Sequence, residues 1–397
     1  MRYESWISSR YLTSAKGGFL FFLHSVSVGG IAVGVMALII VIGIMEGFGN
    51  NLREKIIGST PHILIEKETG VRDHQGIIAK IEKIEGVSGA SVFFQGNIFL
   101  EYAGRAMGLL VRGIDPANEH KATKIKDYLI DGRIEDLDEN SIIVGTELAS
   151  YHGLKIGDDV TLIAPGSGMA GKEWRYTLKI VGIFKSGMVD YDLNLIFVNL
   201  KKAQTMFNLP ENVVTGIGVR LNDPYQATEI KKKIFEVLGY SFLVKTWIDI
   251  NQNLFEALWL EKWGLFLILM LMVLVASFNV ISTLVVTVTS KVHDIGILKS
   301  IGVPNTSIKR IFVRLGMFIG SLGILLGVVL GVGISYILKT YVQVPAQIYS
   351  IDHVPIDLAL TDMLAIVGVA VIITYAATIY PATKASRLQP VDALRYE

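Results

Sequence analysis

Residues 19–47 read FLFFLHSVSVGGIAVGVMALIIVIGIMEG. The run exceeds the ~20 residues that a bilayer requires. It is also too long for a signal-peptide core, and no small-x-small cleavage site follows it, so it is expected to stay as an uncleaved span. Three more apolar stretches appear only far downstream, at Leu265–Thr289, about Leu315–Leu338 and about Met363–Ile379. The roughly 215 residues between the first and second spans are polar enough to build soluble lobes with their own core. The expected fold class is therefore an integral membrane α-helical protein with four transmembrane helices in a 1+3 arrangement. A large α+β domain is inserted between helices 1 and 2.

Composition agrees, since 51% of the residues are apolar and the mean hydropathy is +0.48, above an ordinary soluble domain. A net charge of +1 gives no nucleic-acid signature, and the absence of cysteine excludes disulfides, thiolate metal sites and thiol catalysis. Basic residues close to span ends stay in the cytoplasm. Arg2, Arg10 and Lys16 precede the first span; Lys291, Lys299, Lys309 and Arg310 lie between the second and third; Lys384, Arg387 and Arg395 follow the fourth. The connection from Lys339 to Asp362 instead carries Asp352, Asp357 and Asp362. The expected layout is a cytoplasmic segment at 1–18, helix 1 at 19–47 and an external domain at 48–262. Helix 2 at 263–289, a cytoplasmic loop at 290–310 and helix 3 at 311–338 follow. A short external loop at 339–362, helix 4 at 363–382 and a cytoplasmic tail at 383–397 complete it, with both termini inside.

Within the insert, strands are expected at His62–Glu66, Asn97–Tyr102, Leu109–Ile114, Ser141–Val144, Asp159–Ala164, Tyr176–Phe184, Leu195–Val198 and Gly216–Leu221. Helices are expected at Ile77–Glu85 and Pro224–Leu238. We expect two lobes, a discontinuous α/β lobe near the membrane and a β-rich one around residues 95–200. Gly166–Lys172, GSGMAGK, matches a phosphate-binding loop through its lysine, but Glu173 stands where Ser or Thr is needed. The following WRYTLKIVGIF reads as a strand, so this is a hairpin loop suited to holding a partner. There is no HExxH and no GxSxG, and the seven histidines lack metal spacing. No bond chemistry is expected of this chain.

Residues 290–301, SKVHDIGILKSI, predict a short helix capped by Gly302, with Pro304 and Asn305 opening the next. Ile295, Leu298 and Ile301 share a face, expected as an apolar ridge for docking on a cytoplasmic motor. Arg314 is expected to snorkel at the membrane edge. Gly316, Gly320, Gly323, Gly327 and Gly331 predict a close-packed face, and Ser277, Asn279, Ser282 and Thr283 predict bonds to another helix.

Taken with LLVRGIDP at 109–116, IIVGTELASYHGLKIGDDVTLIAP at 142–165, LFEALWLEKWGLFLILMLMVLVASFNVISTL at 254–284, HDIGILKSIG at 293–302 and YPATKASRLQPVDALRYE at 380–397, the first span resembles the LolC/LolE family. Members are permease subunits of the bacterial lipoprotein-releasing ABC transporter, within the mechanotransmission class. The resemblance covers nearly the whole chain. It implies an inner-membrane location and a periplasmic insert. It implies a second permease subunit, paralogue or self, two cytoplasmic ABC ATPase subunits that bind ATP and Mg, membrane lipid, and no cofactor in this chain. It further implies ATPase coupling through Asp294, Ile295, Gly296, Ile297, Leu298, Lys299, Ile301 and Gly302. A hook recruiting a periplasmic carrier chaperone would comprise Pro165, Gly166, Gly168, Met169, Gly171, Lys172, Trp174 and Arg175, where this chain reads MAGKEWRY in place of a Met-Gly-x-x-Pro-like core. An acylated lipoprotein would enter between the first two spans; by position, Ile44, Met45, Phe48, Leu265, Ile268, Leu269 and Met272 would line its path, with Phe255, Leu258 and Glu261 just before the second span. The alternatives are a mechanotransmission permease with another load, for efflux or cell-wall hydrolase activation, and a non-transporting membrane sensor.

Overall fold

The computed structural model describes residues 3–13, 18–164, 174–342 and 353–388. The described helices are α1 (Tyr3–Thr13), α2 (Gly18–Ser59), α3 (His74–Ile81), α4 (Thr146–His152), α5 (Val189–Asn194), α6 (Leu200–Met206), α7 (Ala227–Leu238), α8 (Trp247–Ile250), α9 (Gln252–Ser290), α10 (Val292–Ser300), α11 (Asn305–Tyr341) and α12 (Leu360–Ser386). The strands are β1 (Ile63–Val71), β2 (Val87–Tyr102), β3 (Arg105–Ile114), β4 (Leu129–Gly132), β5 (Ser141–Gly145), β6 (Asp159–Ala164), β7 (Trp174–Phe184), β8 (Leu195–Asn199), β9 (Val214–Leu221) and β10 (Leu243–Thr246). They form two compact units: described residues up to Gly49 and from Glu256 onward make one, and those from Asn50 to Phe255 the other.

In the helical unit, α2, α9, α11 and α12 are each long and apolar enough to cross a membrane. All outrun the expected spans. The helix α2 has 42 residues, about 63 Å at 1.5 Å per residue, twice a hydrocarbon core. Hydropathy marks only the lipid-length part of such a helix. The core joins Ile31, Val35 and Leu38 to Val280, Leu284, Phe312, Leu315, Ile366 and Ala370.

The glycines of α11 permit this closeness. A Cβ on Gly316 or Gly320 would run into Thr378 or Thr374 of α12, and one on Gly323 or Gly327 would meet the Val28 or Ala32 carbonyl of α2. Such backbone approach is how membrane helices associate without a hydrophobic drive between them. Thr283 crosses to Ser27 with a hydroxyl pair at 2.8 Å, whereas Ser277 donates back to Val273 of its own helix. The expected interhelical bonding thus holds for Thr283 and not for Ser277.

The other unit is built on one sheet in the order β10-β1-β9-β2-β3-β8-β5-β7-β4, with β6 bridging β2 and β7. A single sheet thus runs through the segments expected as two lobes. The strand β2 pairs with β9 through Val87–Phe93 and with β3 through Phe93–Tyr102, so both cores share it. One core gathers Ile63, Ile65, Ile81, Ile217, Val219, Ile230 and Trp247. The second gathers Ile98, Leu100, Val111, Val144, Leu162, Ile180 and Val198. Gly89 and Gly96 lie within β2. In the fold they admit neighbours, since a Cβ on Gly96 would press on the Phe207 ring at 2.7 Å.

Candidate functional site

The loop between α9 and α11 folds as α10, and Gly302 follows it at φ +93°, a left-handed conformation that only glycine adopts freely at a helix end. Of the expected ridge, Ile301 points outward while Ile295 and Leu298 turn toward the bundle. Ile295 is 1% exposed within the bundle core, Gly296 is buried and Leu298 packs half-buried against the same core, while Ile297 and Ile301 are 44% and 73% exposed. Three-residue spacing finds an apolar face without saying whether it turns inward. Here it seats the helix, and the outward apolar pair is Ile297 with Ile301.

Lys299 is also turned inward. Its ammonium donates to the carbonyls of Ser386 and Leu388 at 2.7 and 2.6 Å, at the C-terminal end of α12. A cation there satisfies orphan carbonyls and complements the helix dipole. Burial draws the Lys299 pKa below the ordinary lysine value. Asp294 pairs with Lys291 at 3.3 Å, and the Lys291 ammonium lies 5.3 Å from the centre of the Tyr11 ring.

Tyr11 belongs to α1, which packs along α11. Arg314 donates to the Ser5 hydroxyl at 3.0 Å and meets the buried Glu4 carboxylate at 2.9 Å, with Arg310 at 3.6 Å. The Arg314 guanidinium is thus held by α1. Between α1 and α10 a groove of about 360 Å³ is lined by Trp6, Ile7, Arg10, Tyr11, Lys291, Asp294, Ile297 and Leu298. Sequence reading missed Trp6, Ile7 and Tyr11, because residues 3–13 carry too few apolar residues in period to stand out as a helix. The pairing of Glu4 with Arg314, which fixes this helix, spans 310 positions and leaves no local signal.

At the other end of the helical unit, Ile44, Met45, Phe48, Leu258, Leu265 and Leu269 are half-buried, while Glu261, Ile268 and Met272 are exposed. From Val273 inward α9 presses on α2, with Val273 against Gly34 and Ala276 against Gly30. Toward the N-terminus of α9, a broad apolar face that includes Leu267, Ile268, Leu271, Met272 and Val275 is open. Phe255 lies in the other unit. It is packed into the sheet core with its ring edge-on to Trp247 at 5.5 Å, a structural position.

In the sheet unit, β6 and β7 pair up to Ala164 opposite Trp174. Pro165, Gly166, Gly168, Met169, Gly171 and Lys172 lie outside the described residues. Trp174 is 44% exposed at the base of that loop, and Arg175 donates to Glu101 at 2.8 Å, tying β7 to β2. A strand follows the glycine-rich motif where a phosphate loop requires a helix. Among the described residues no group of three or more His, Asp or Glu could hold a metal ion.

Two family models match: the MacB-like periplasmic core domain over residues 25–236 and the FtsX-like permease C-terminal domain over 266–390. The lipoprotein-releasing system transmembrane protein LolC of Neisseria meningitidis is 33% identical, over 99% of this chain and 99% of its own. This chain belongs to the LolC/LolE permease family. LolC of Xylella fastidiosa strain 9a5c is 30% identical over 98% of each chain, and LolE of Haemophilus influenzae 26% over 92% of each. Both names of the LolC/LolE family thus recur along almost the full length. The α1/α10 groove and the open face of α9 both fall in the half of the chain that contains its permease domain or in the segment preceding the first span.

Proposed function

We propose that this chain is the membrane permease subunit of an ATP-driven transporter that extracts acylated lipoproteins from the inner membrane for delivery to the outer membrane. The observation that carries the reading is near full-length likeness to proteins named for the lipoprotein-releasing system. Four helices fit for a membrane support it. The chain sits in the inner membrane with both termini cytoplasmic and the sheet unit periplasmic. ATP and Mg belong to a separate cytoplasmic ABC ATPase, present in two copies beside a second permease subunit.

The physical task explains the division of labour. Each buried acyl methylene holds about 0.8 kcal/mol, so lifting a multiply acylated anchor into water would cost tens of kcal/mol. The anchor must pass from one apolar surface to another. The exposed face of α9 is apolar enough to receive acyl chains, and residues 165–173 would recruit a carrier. Ile297 and Ile301, with the groove beside them, present the surface for the ATPase. Purification from the native membrane in mild detergent, with identification of what accompanies the chain, tests this reading. An ATPase together with lipoprotein is expected; an ATPase with a cell-wall hydrolase or efflux partner, and no lipoprotein, would refute it.

A further inference from the structure

The end of the helical unit remote from α10 carries an ion cluster that neither docking nor apolar lining accounts for. The Lys262 ammonium donates to Glu46 Oε2 at 2.7 Å and to Asp362 Oδ2 at 3.0 Å, and all three side chains are between a quarter and a third exposed. One lysine of α9 thus joins carboxylates on α2 and α12. The two carboxylates lie within about 6 Å of each other, close enough to repel strongly without the cation.

The helices joined here are not held equally. At this level α2 is bound to the segment leading into α12 by backbone, because the Asp357 N–H donates to the Gly43 carbonyl at 2.9 Å and a Cβ on Gly47 would strike the Pro355 carbonyl. Val273 of α9 meets Gly34 of α2 eleven residues, or about 16 Å, further along. Between these levels Phe266 and Leu269 are half-buried, while Trp263, Leu267 and Leu271 are exposed. Along the seam between α2 and α9 there is thus close backbone approach at Val273, the half-buried Phe266 and Leu269 beyond it, and Lys262 across its far end.

We propose that the Lys262–Glu46–Asp362 cluster is a latch on this seam, and that Lys262 is the positioning residue whose release lets α9 part from α2 to admit an acyl anchor. The proposal rests on the transport reading above. An ion cluster suits a latch because it is stiff while paired, and because removing the cation sets two like charges against each other. Apolar contact along the same seam would re-form against lipid with little preference.

The chain has no cysteine, so introduced thiols report cleanly. In the full complex in native membranes, L269C alone and with K262M would be reacted with a membrane-permeant maleimide. Losing the latch is expected to raise the labelling rate at position 269 about tenfold, a one-decade shift of the open–closed balance. In parallel, E46C/K262C would be bridged by a short bis-thiosulfonate reagent. The bridged complex should release lipoprotein to a soluble carrier at least about tenfold more slowly than the same sample after reduction. Unchanged labelling in K262M, or release unaffected by the bridge, overturns the latch. If the unbridged complex releases no lipoprotein, the transport reading fails, and the labelling rate still decides whether Lys262 closes the seam. The conservative variant K262R, which keeps a cation between both carboxylates, should label at the slow rate.

Discussion

Glu119 shows how far a single side chain can set a condition for the whole sheet unit. It is 1% exposed, accepts a hydrogen bond from the Thr123 hydroxyl at 2.9 Å, and burial pushes its carboxyl up to about 7 against the pull of Arg112. Its folded-state pKa is raised, so its stabilising contribution is complete below about 4.5 and is lost as the pH rises through about 7. His62 works in the opposite sense. Its ring accepts from the Leu221 N–H at 3.0 Å, and burial brings its pKa down to about 4. Its contribution is complete above about 6.5 and is lost as the pH falls through about 4. Between pH 5 and 7 the two nearly cancel. Glu119→Gln should unmask His62, so that the opening free energy of β2 and β9 amides rises by on the order of 2 kcal/mol from pH 5 to 7. Hydrogen exchange, corrected for intrinsic rates, measures this. A flat profile in the variant would show that the two groups do not oppose each other.

Helix α11 carries the test at the scale of elements. Gly327 sits 2.7 Å, by an added Cβ, from the backbone carbonyl of Ala32, whereas Gly333 on the same helix would meet nothing within 4 Å. Gly327→Leu forces two backbones apart, an overpacking cost of about 1–3 kcal/mol or more, while Gly333→Leu does not. Thermal denaturation in detergent should fall by several degrees for the first and stay within about a degree for the second. Equal effects would remove the glycine face as the reason for close packing. That stripe was legible because small residues four apart have few other uses in a span. The four spans and most strands were legible for a similar reason, since apolarity and alternation are local. What escaped was long-range. The inward turn of Ile295, the capping of α12 by Lys299 and the bond from Arg314 to α1 depend on partners roughly 90 to 310 positions away. Of β2, only Asn97–Tyr102 was expected from the sequence, although the strand begins at Val87.

The whole molecule has two testable properties, its sidedness and the work it does. With single cysteines in this cysteine-free chain, Asp131→Cys on the sheet unit should react with an impermeant maleimide in cells whose outer membrane alone is permeabilised. Ser300→Cys on α10 should react only after the inner membrane is opened. The reverse pattern would invert the topology. The claim about work is that this subunit moves lipid-anchored protein and not merely a signal. The most direct measurement is release from proteoliposomes containing this chain, its partner permease and the ATPase, loaded with an acylated lipoprotein and supplied with a soluble carrier. Lipoprotein should appear on the carrier only with ATP and Mg. Continued ATP hydrolysis with the lipoprotein retained in the vesicles at the level seen without nucleotide would contradict it.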